Sequence, residues 1–222
     1  MLRYKCLVLD HDDTAVMSTA TVHYPSFVEV LRALRPGRAM TLGEYNRLCF
    51  DPGFERMCCD LLGFTAEEMA WQLDHWQRYV ENHVPPFQPG MPGLIRRQKA
   101  EGGLLCVVSQ SYARFVERDY AAAGLPLPDR TLGWELGSER QKPHPDPLLL
   151  LMAEFSLAPS EILVVDDLKP GFDMARAAGC GCAAALWAHA DEPEMRRLLT
   201  GDADALPMPT VRALADWLFG AE

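Results

Sequence analysis

Short apolar runs recur along the chain, and helical patterning lies between them. The runs are residues 4–10, 104–109, 162–167 and 182–187. A strand that is buried on both faces of a parallel sheet has such an unbroken apolar run, because helices cover the sheet on either side. Strands that alternate with helices therefore predict an α/β fold with a doubly wound, Rossmann-like parallel sheet.

The first two runs lie much further apart than one crossover requires. More than ninety residues separate them, whereas a connection between parallel strands needs about a dozen. Within this stretch, Thr41-x-x-Glu44 and Thr65-x-x-Glu68 match the capping box that begins a helix. We therefore expect a helical domain inserted after the first strand.

A proline-rich segment at residues 85–92 closes the insert and predicts a stiff return to the sheet. We accordingly assign residues 17–85 to a helical cap domain. Residues 1–16 and 86–222 then form the α/β core.

The charge balance narrows the range of partners. The chain has 31 acidic and 21 basic residues, a net charge of -10, so it has no excess of cations to neutralise the phosphates of nucleic acids or lipids. No apolar run approaches the ~18 residues of a membrane span.

The seven cysteines are an odd number without zinc-site spacing. We expect a cytoplasmic protein with reduced thiols that binds neither nucleic acid nor membranes.

Polar residues stand at the ends of three of the apolar runs. Asp10 and Asp12 follow the first run, Ser109 ends the second, and Asp166 and Asp167 end the third. Ligands of an open α/β sheet bind beyond the carboxyl ends of its strands. These five residues are therefore the first candidates for a functional site.

Lys142 is a further candidate. It lies just before a leucine-rich segment that Asp146 and Pro147 can begin as a helix. The chain has only four lysines among its 21 basic residues, so lysine is not its usual cation. An ammonium group near converging carboxylates would offset their charge and hold anionic oxygens of a substrate.

The spacing of the acidic residues favours a particular chemistry. Converging carboxylates repel one another, and Mg²⁺ held by oxygen ligands relieves that repulsion. A carboxylate can attack phosphorus, while a second acid two residues later protonates the leaving oxygen and then activates water. Asp10 and Asp12 have this spacing, and Ser109 and Lys142 could hold the phosphoryl oxygens.

Four motifs in this order resemble those of the haloacid dehalogenase (HAD) superfamily. The matching segments are residues 10–14, 107–109, 142–147 and 164–179. The chain is most similar to the phosphatases of this superfamily that have a helical C1 cap after the first strand, such as phosphoglycolate phosphatases and β-phosphoglucomutases. With the cap, the resemblance covers essentially the whole chain.

The resemblance implies roles for the acidic residues. Asp10 would be the nucleophile and a metal ligand, and Asp12 the general acid and base, with its carbonyl also on Mg²⁺. Asp167 would be the third protein ligand. Asp166 stands where relatives have Glu or Gly, so it would touch the metal directly, through water or not at all.

The resemblance also implies that Ser109 and Lys142 grip the phosphoryl group. The chain departs from the family pattern at Asp13, where relatives usually have Gly in a turn of positive φ; Asp tolerates that conformation better than most residues. It departs again at Met17, where many relatives have Asp.

Residues of the cap would determine the substrate, because a lid that closes over a general phosphate site contacts the leaving group. His23 lies one residue away from a histidine of mutase-like relatives. Arg47 and Arg56 are candidates to bind a second anion, and we expect Trp71 and Trp76 to pack inside the cap.

The leading hypothesis is a Mg²⁺-dependent phosphatase that hydrolyses a small phosphorylated metabolite through an aspartyl phosphate. A sugar phosphomutase would use the same residues and differ in the acceptor of the phosphoryl group. A dehalogenase would need neither Asp12 nor the acid pair at 166–167. A non-catalytic module switched by Asp phosphorylation, like a receiver domain, would be shorter and would have no cap.

Overall fold

A computed structural model describes residues 2–202 and 204–220. The chain divides into two compact units. We call the first the core; it contains the residues up to Val16 and those from Pro86 onward. We call the second the cap; it spans Met17–Pro85.

Among the described residues, the core contains one parallel sheet of six strands. The strands are β1 Cys6–Leu9, β2 Leu104–Val108, β3 Arg130–Leu132, β4 Ile162–Asp166, β5 Gly181–Ala185 and β6 Ala205–Met208. Their order across the sheet is β3-β2-β1-β4-β5-β6, and every neighbouring pair is parallel. The predicted doubly wound α/β fold is confirmed.

Two strands at the edges of the sheet were not among the predicted runs. Strand β3 has only three residues, and Arg130 at its start is exposed. Strand β6 contains Pro207, which edge strands tolerate because its missing N–H costs no bond inside the sheet. Neither strand carries the apolar run that marks a central strand.

Helices follow the strands in the core and make up most of the cap. In chain order they are α1 Tyr24–Leu34, α2 Leu42–Phe50, α3 Phe54–Arg56, α4 Ala66–Glu81, α5 Met91–Ala100, α6 Ala113–Ala122, α7 Asp146–Phe155, α8 Lys169–Ala178, α9 Pro193–Gly201 and α10 Val211–Phe219. The first four belong to the cap and the others to the core. Short turns of tighter or wider helix join several of them, including Leu186–His189 after β5.

The central strands are buried on both faces, as their apolar runs require. All four residues of β1 are completely buried. Leu7 and Leu9 pack into the apolar cluster that also contains Ile95 of α5, Val116 of α6 and Leu214 of α10. This packing fixes the carboxyl ends of the central strands, where the candidate residues stand.

The cap has its own apolar cluster, around Phe27, Leu31, Tyr45 and Met57. Two of its helices begin with the predicted capping boxes. In α2 the Glu44 amide donates to the Thr41 hydroxyl at 3.2 Å, and in α4 the Glu68 amide donates to the Thr65 hydroxyl, also at 3.2 Å.

All seven cysteines are free thiols. In the part of the chain that the structure describes, no helix is both long enough and apolar enough to cross a membrane.

Candidate active site

The strand order brings the candidate residues together at the carboxyl ends of the central strands. Strand β1 lies between β2 and β4, so their carboxyl ends are adjacent. Asp10 follows β1, Ser109 follows β2, and Asp166 ends β4. The Asp10 amide donates to the Val165 carbonyl at 2.9 Å, which extends the β1–β4 pairing to the candidate nucleophile.

Lys142 lies between two of the carboxylates. Its Nζ is 2.6 Å from Asp10 Oδ1 and 2.7 Å from Asp166 Oδ2, and the lysine is 7% exposed. Burial alone would lower the pKa of Lys142, but the two carboxylates outweigh burial and raise it above its usual value. Lys142 is therefore a permanent cation in this site.

Asp10 has its pKa raised well above the usual value. Burial is the main cause; Lys142 opposes it, while the charges of Asp166, Asp167 and Asp12 add to it. One lysine does not neutralise this many acids. A further cation would lower the pKa of Asp10 and keep it ionised.

Three carboxylates could supply the ligands of such a cation. Oxygens of Asp10, Asp166 and Asp167 lie within 4.8 Å of one another, and all three residues are buried. An all-oxygen set of this kind suits a hard divalent cation. The side chain of Asp12 is not part of this cluster.

Asp166 is accommodated by a glycine in helix α8. A Cβ at Gly171 would lie 2.0 Å from Asp166 Oδ2, which is far closer than any atoms can pack. The other oxygen, Oδ1, accepts a 2.9 Å bond from the Leu168 amide. Gly171 thus provides the space in which Asp166 reaches Lys142.

Asp167 is held by two buried partners. The Thr14 hydroxyl donates to its Oδ1 at 2.9 Å, and His189 Nε2 lies 2.9 Å from its Oδ2. Burial would lower the pKa of His189, but its bonds to Asp167 and Glu192 outweigh burial and raise it to about 10. The imidazolium form of His189 therefore adds a positive charge beside the acids.

Asp12 points to two serines. Ser111 Oγ lies 2.6 Å from Asp12 Oδ2, whereas Ser109 Oγ is 3.5 Å from the same oxygen. Ser109 Oγ also accepts a 2.9 Å bond from the Ser111 amide. The predicted phosphate-binding serine and the predicted general acid thus belong to one hydrogen-bonded group.

The turn at Asp13, just after Asp12, has the positive φ that the sequence predicts. Asp13 has φ of 60°, in the left-handed region that favours glycine. Buried Gln88 donates from Nε2 to the Asp13 carbonyl at 2.7 Å and supports the turn.

His11 lies between Asp10 and Asp12 in sequence, but its side chain contacts helix α6 rather than those two acids. It is 1% exposed, and its Nε2 lies 3.1 Å from Asp119 Oδ2 of α6, which is 3% exposed. The ring also stacks against Tyr120, with a centroid distance of 6.2 Å. These contacts attach the loop of the two acids to α6.

The sequence profile of the haloacid dehalogenase-like hydrolases matches residues 7–185 of this chain. The chain belongs to this family. The predicted HAD resemblance is therefore confirmed, and with it the prediction that the protein is an enzyme. The match begins within β1 and ends with β5, so it includes every strand that carries a candidate residue.

Two curated relatives of this HAD-like hydrolase are phosphatases of small molecules. It is 24% identical to the N-acetylmuramic acid 6-phosphate phosphatase of Pseudomonas aeruginosa, over 85% of this chain and 84% of that one. It is 34% identical to a phosphoglycolate phosphatase of Haemophilus influenzae over 46% of each chain. Phosphoric monoester hydrolysis is the activity that fits this family membership.

Solved structures of other HAD hydrolases have the same fold. A predicted phosphatase from Clostridium acetobutylicum superposes with a TM-score of 0.77 at 15% identity, covering 96% of this chain and 97% of that one. At this identity the likeness concerns the fold.

The three residues predicted to bind substrate belong to the cap, which is a different unit from the core of the hydrolase. His23 accepts a 2.9 Å bond at Nδ1 from Trp76 Nε1, and the two rings stack. Arg56 is exposed and pairs with Asp60 at 3.2 Å. Arg47 is half-buried on α2. Their roles stay predictions.

Ser111 and His189 are site residues that sequence reasoning missed. Ser111 stands two residues after Ser109 at the same strand end, so this spacing could have indicated it. His189 comes after the fourth apolar run and has no ligand-like spacing in the sequence. Its contact with Asp167 arises because β5 lies beside β4 in the sheet.

Proposed function

We propose that the chain is a Mg²⁺-dependent phosphatase that hydrolyses a small organic phosphomonoester through a phosphorylated Asp10. The observation that carries this proposal is the arrangement of buried Asp10, 2.6 Å from Lys142 Nζ and within 4.8 Å of two more carboxylates. A nucleophilic carboxylate needs neighbouring cations both to stay ionised and to approach an anionic phosphoryl group.

Asp10 and Asp167, with the Asp12 carbonyl, are the proposed ligands of Mg²⁺. The ion would offset negative charge on the transferring phosphoryl group and orient it. Asp166 contacts Lys142 Nζ through Oδ2 at 2.7 Å, and its Oδ1 accepts a bond from the Leu168 amide at 2.9 Å. This arrangement supports Asp166 as the residue that positions Lys142.

In the first step, a carboxylate oxygen of Asp10 attacks phosphorus as the bond from phosphorus to the leaving oxygen breaks. Asp12 gives its proton to that oxygen, and the product leaves as an alcohol. Ser109 and Lys142 hold the phosphoryl oxygens throughout. The positive charge of Lys142 stabilises the negative charge that builds up on them.

In the second step, Asp12 accepts a proton from water as the water oxygen attacks phosphorus. The bond between Asp10 and phosphorus breaks, and inorganic phosphate leaves. Asp10 is again a carboxylate and Asp12 again carries a proton, so the cycle is balanced. This exchange of roles by Asp12 is general acid catalysis followed by general base catalysis.

The names of the relatives guide the choice of substrates. N-acetylmuramic acid 6-phosphate and phosphoglycolate each carry a carboxylate besides the phosphomonoester, and both belong in the first screen. If Arg47 binds a second anion, R47A will raise KM for carboxylated substrates more than for uncharged ones. Arg38→Ala, which removes another exposed arginine of the cap, is the matched control.

The test is release of phosphate from sugar phosphates, phosphoglycolate, N-acetylmuramic acid 6-phosphate, nucleotides and pyridoxal phosphate, with Mg²⁺ and with EDTA. We expect turnover that needs Mg²⁺ and that D10N abolishes. Sustained turnover by D10N, shown by mass spectrometry to be free of deamidation, would contradict the proposal.

Two other outcomes distinguish the alternatives. Conversion of β-glucose 1-phosphate to glucose 6-phosphate without release of phosphate would identify a mutase. Absence of Mg²⁺-dependent turnover on every compound would favour a non-catalytic module.

A further inference from the structure

Ser111 is bound to the carboxylate of Asp12 by a short hydrogen bond. The distance between Ser111 Oγ and Asp12 Oδ2 is 2.6 Å, and Ser111 is 4% exposed. Hydroxyl bonds to carboxylates are short and strong in this range. Ser109, at 3.5 Å from the same oxygen, is at the limit of hydrogen bonding. Of the two serines, Ser111 is therefore the one that holds Asp12.

The backbone of Ser111 is fixed on both sides. Its amide donates to Ser109 Oγ at 2.9 Å, and its carbonyl accepts from the Trp134 amide at 2.9 Å. Both bonds tie Ser111 to residues at the carboxyl end of the sheet. The hydroxyl therefore points to Asp12 from a rigid position.

Ser111 does not serve the usual purpose of a serine before a helix. Helix α6 begins just after it, with Tyr112 as N-cap and no side-chain capping bond. The Ala113 amide instead donates to Glu135 at 3.0 Å. The Ser111 hydroxyl is thus directed to Asp12 although a capping role lies within its reach in the sequence.

We infer that Ser111 is a positioning residue for the general acid, and this inference rests on the proposed phosphatase function. Its hydroxyl donates to Oδ2 whether Asp12 is ionised or protonated. The proton then resides on Oδ1 in every cycle, so it can pass to the leaving oxygen and return from water without rotation of the carboxyl group. Ser109 remains the serine that binds the phosphoryl group.

The leaving group provides a selective test. The p-nitrophenolate ion is stable enough to leave without protonation. Phenolate depends on protonation more than p-nitrophenolate does, and benzyl alkoxide depends on it most. Asp12 also acts as the base in the second step, which is the same for every substrate, so the comparison uses kcat/KM, which reports the first step alone. A fault in the positioning of Asp12 therefore lowers kcat/KM for benzyl and phenyl phosphate more than for p-nitrophenyl phosphate. A defect in folding or in phosphate binding slows all three alike.

We expect S111A to lower kcat/KM for benzyl phosphate about tenfold, and that for p-nitrophenyl phosphate much less, because a hydrogen bond to a charged group is lost. S111T keeps the hydroxyl and should restore the rate on benzyl phosphate. S111C, which matches serine in size but is a weak donor, should resemble S111A and serves if S111A does not fold. S138A, at an exposed turn, is the control for a general serine-to-alanine effect.

A double-mutant cycle tests the route through Asp12. In the D12N background, S111A should cause no further loss on benzyl phosphate, since the acid that it positions is absent. An equal loss of kcat/KM on all three substrates, or an additive loss with D12N, would overturn the inference while wild-type turnover persists. No turnover by the wild type would instead refute the proposed function and the inference with it.

Discussion

Lys142 is buried against two acids, and in the part of the chain that the structure describes it is the cation within ion-pair distance of both. Removing only the lysine would leave Asp10 and Asp166 in a buried site with their charges less compensated. Such a loss of one partner from a buried group costs about 3–5 kcal/mol of stability. The lysine therefore contributes to folding as well as to the proposed catalysis.

We expect K142M to abolish phosphatase activity and to lower the free energy of unfolding by about 3 kcal/mol or more. Urea unfolding and phosphate release measure the two effects. K169M removes a lysine that is about half exposed and pairs with Asp173 on the surface of α8; it should cost less than about 1 kcal/mol. Equal stability of K142M and wild type would contradict this prediction.

Gly171 offers a second test at the scale of one residue. We expect G171A to displace Asp166, because its Cβ would lie 2.0 Å from the carboxylate. The predicted result is a loss of activity and a destabilisation of about 1–3 kcal/mol, the usual cost of overpacking. At Gly93 of α5 the space for a Cβ is open, so G93A should be neutral or slightly stabilising.

The acids of the site could be predicted because each stands at the end of an apolar run. Ser111 stands at the same strand end as Ser109, so that spacing could have indicated it. His189 could not be predicted in the same way, since its role comes from a contact between neighbouring strands. His189 meets Asp167 only because β5 pairs with β4. A sequence states which residue ends a strand, but not which strand lies beside it.

Among the elements, the loop after β1 and helix α6 are joined by a polar pair inside the core. His11 and Asp119 are each almost fully buried and lie 3.1 Å apart, and Asp119 also binds Arg118 at 2.7 Å. A buried polar group that loses its partner costs about 1–3 kcal/mol. The pair should therefore show coupling between its two members.

We expect H11F and D119L each to destabilise the protein, and the double variant to be more stable than the sum of the two losses implies. The expected coupling is about 1 kcal/mol or more, measured by urea unfolding in a double-mutant cycle. Strictly additive losses would show that the contact contributes nothing. Neither residue was singled out from the sequence, because a histidine between two acids gives no sign of its partner.

Within the cap, Glu68 joins the N-terminus of α4 to Arg35. Its carboxylate accepts bonds of 2.8 and 2.7 Å from Arg35, which also donates to the Leu62 and Gly63 carbonyls. The bond to Arg35 is the main reason that the pKa of Glu68 falls from 4.5 to about 2. The lowered pKa stabilises the folded cap above pH 4.5, and this stabilisation is lost as the pH falls through about 2.

E68Q should therefore lose less stability than the wild type as the pH falls over this window. Thermal midpoints recorded at several pH values measure the difference. E55Q, at an exposed glutamate of the cap, is the control. Parallel curves for E68Q and wild type would contradict the prediction. The capping box at Thr65 was visible in the sequence, whereas the pairing with Arg35 depends on how α1 packs against α4.

At the scale of the whole molecule, the chain is acidic, and the acids of the site determine which ions it can bind. The net charge of -10 is a property of the whole chain, whereas the acids of the site lie around Lys142. A divalent cation that binds only the folded protein stabilises it, by about 2.7 kcal/mol at a hundred times Kd. Metal binding should therefore be measurable without catalysis.

We expect Mg²⁺ to raise the thermal midpoint of the wild type and EDTA to reverse the shift. D167N, which removes one proposed ligand, should abolish the response. D191N, an exposed acid outside the cluster, should retain it. An identical response in D167N and wild type would place the cation elsewhere.

The fold class and the order of the site residues could be predicted at this scale, because the apolar runs and motifs span the chain. The edge strands β3 and β6 could not, since a short strand with an arginine or a proline lacks the burial that shapes the sequence of β1 or β4. A strand is an edge strand because of its position in the sheet, and its own residues need not indicate that position.

Strand β1 is first in the chain but lies inside the sheet, between β2 and β4. On the ribosome, Asp10 therefore emerges long before its neighbours, and Lys142 follows 132 residues later. The apolar β1 segment therefore has no neighbouring strand to pair with until β2 and β4 have been synthesised. The cap sequence is synthesised during that interval, ahead of the partners of β1. A nascent chain that stops before β4 would hold Asp10 and Lys142 without Asp166 and Asp167, so under the proposed mechanism activity appears only after β4 has been synthesised.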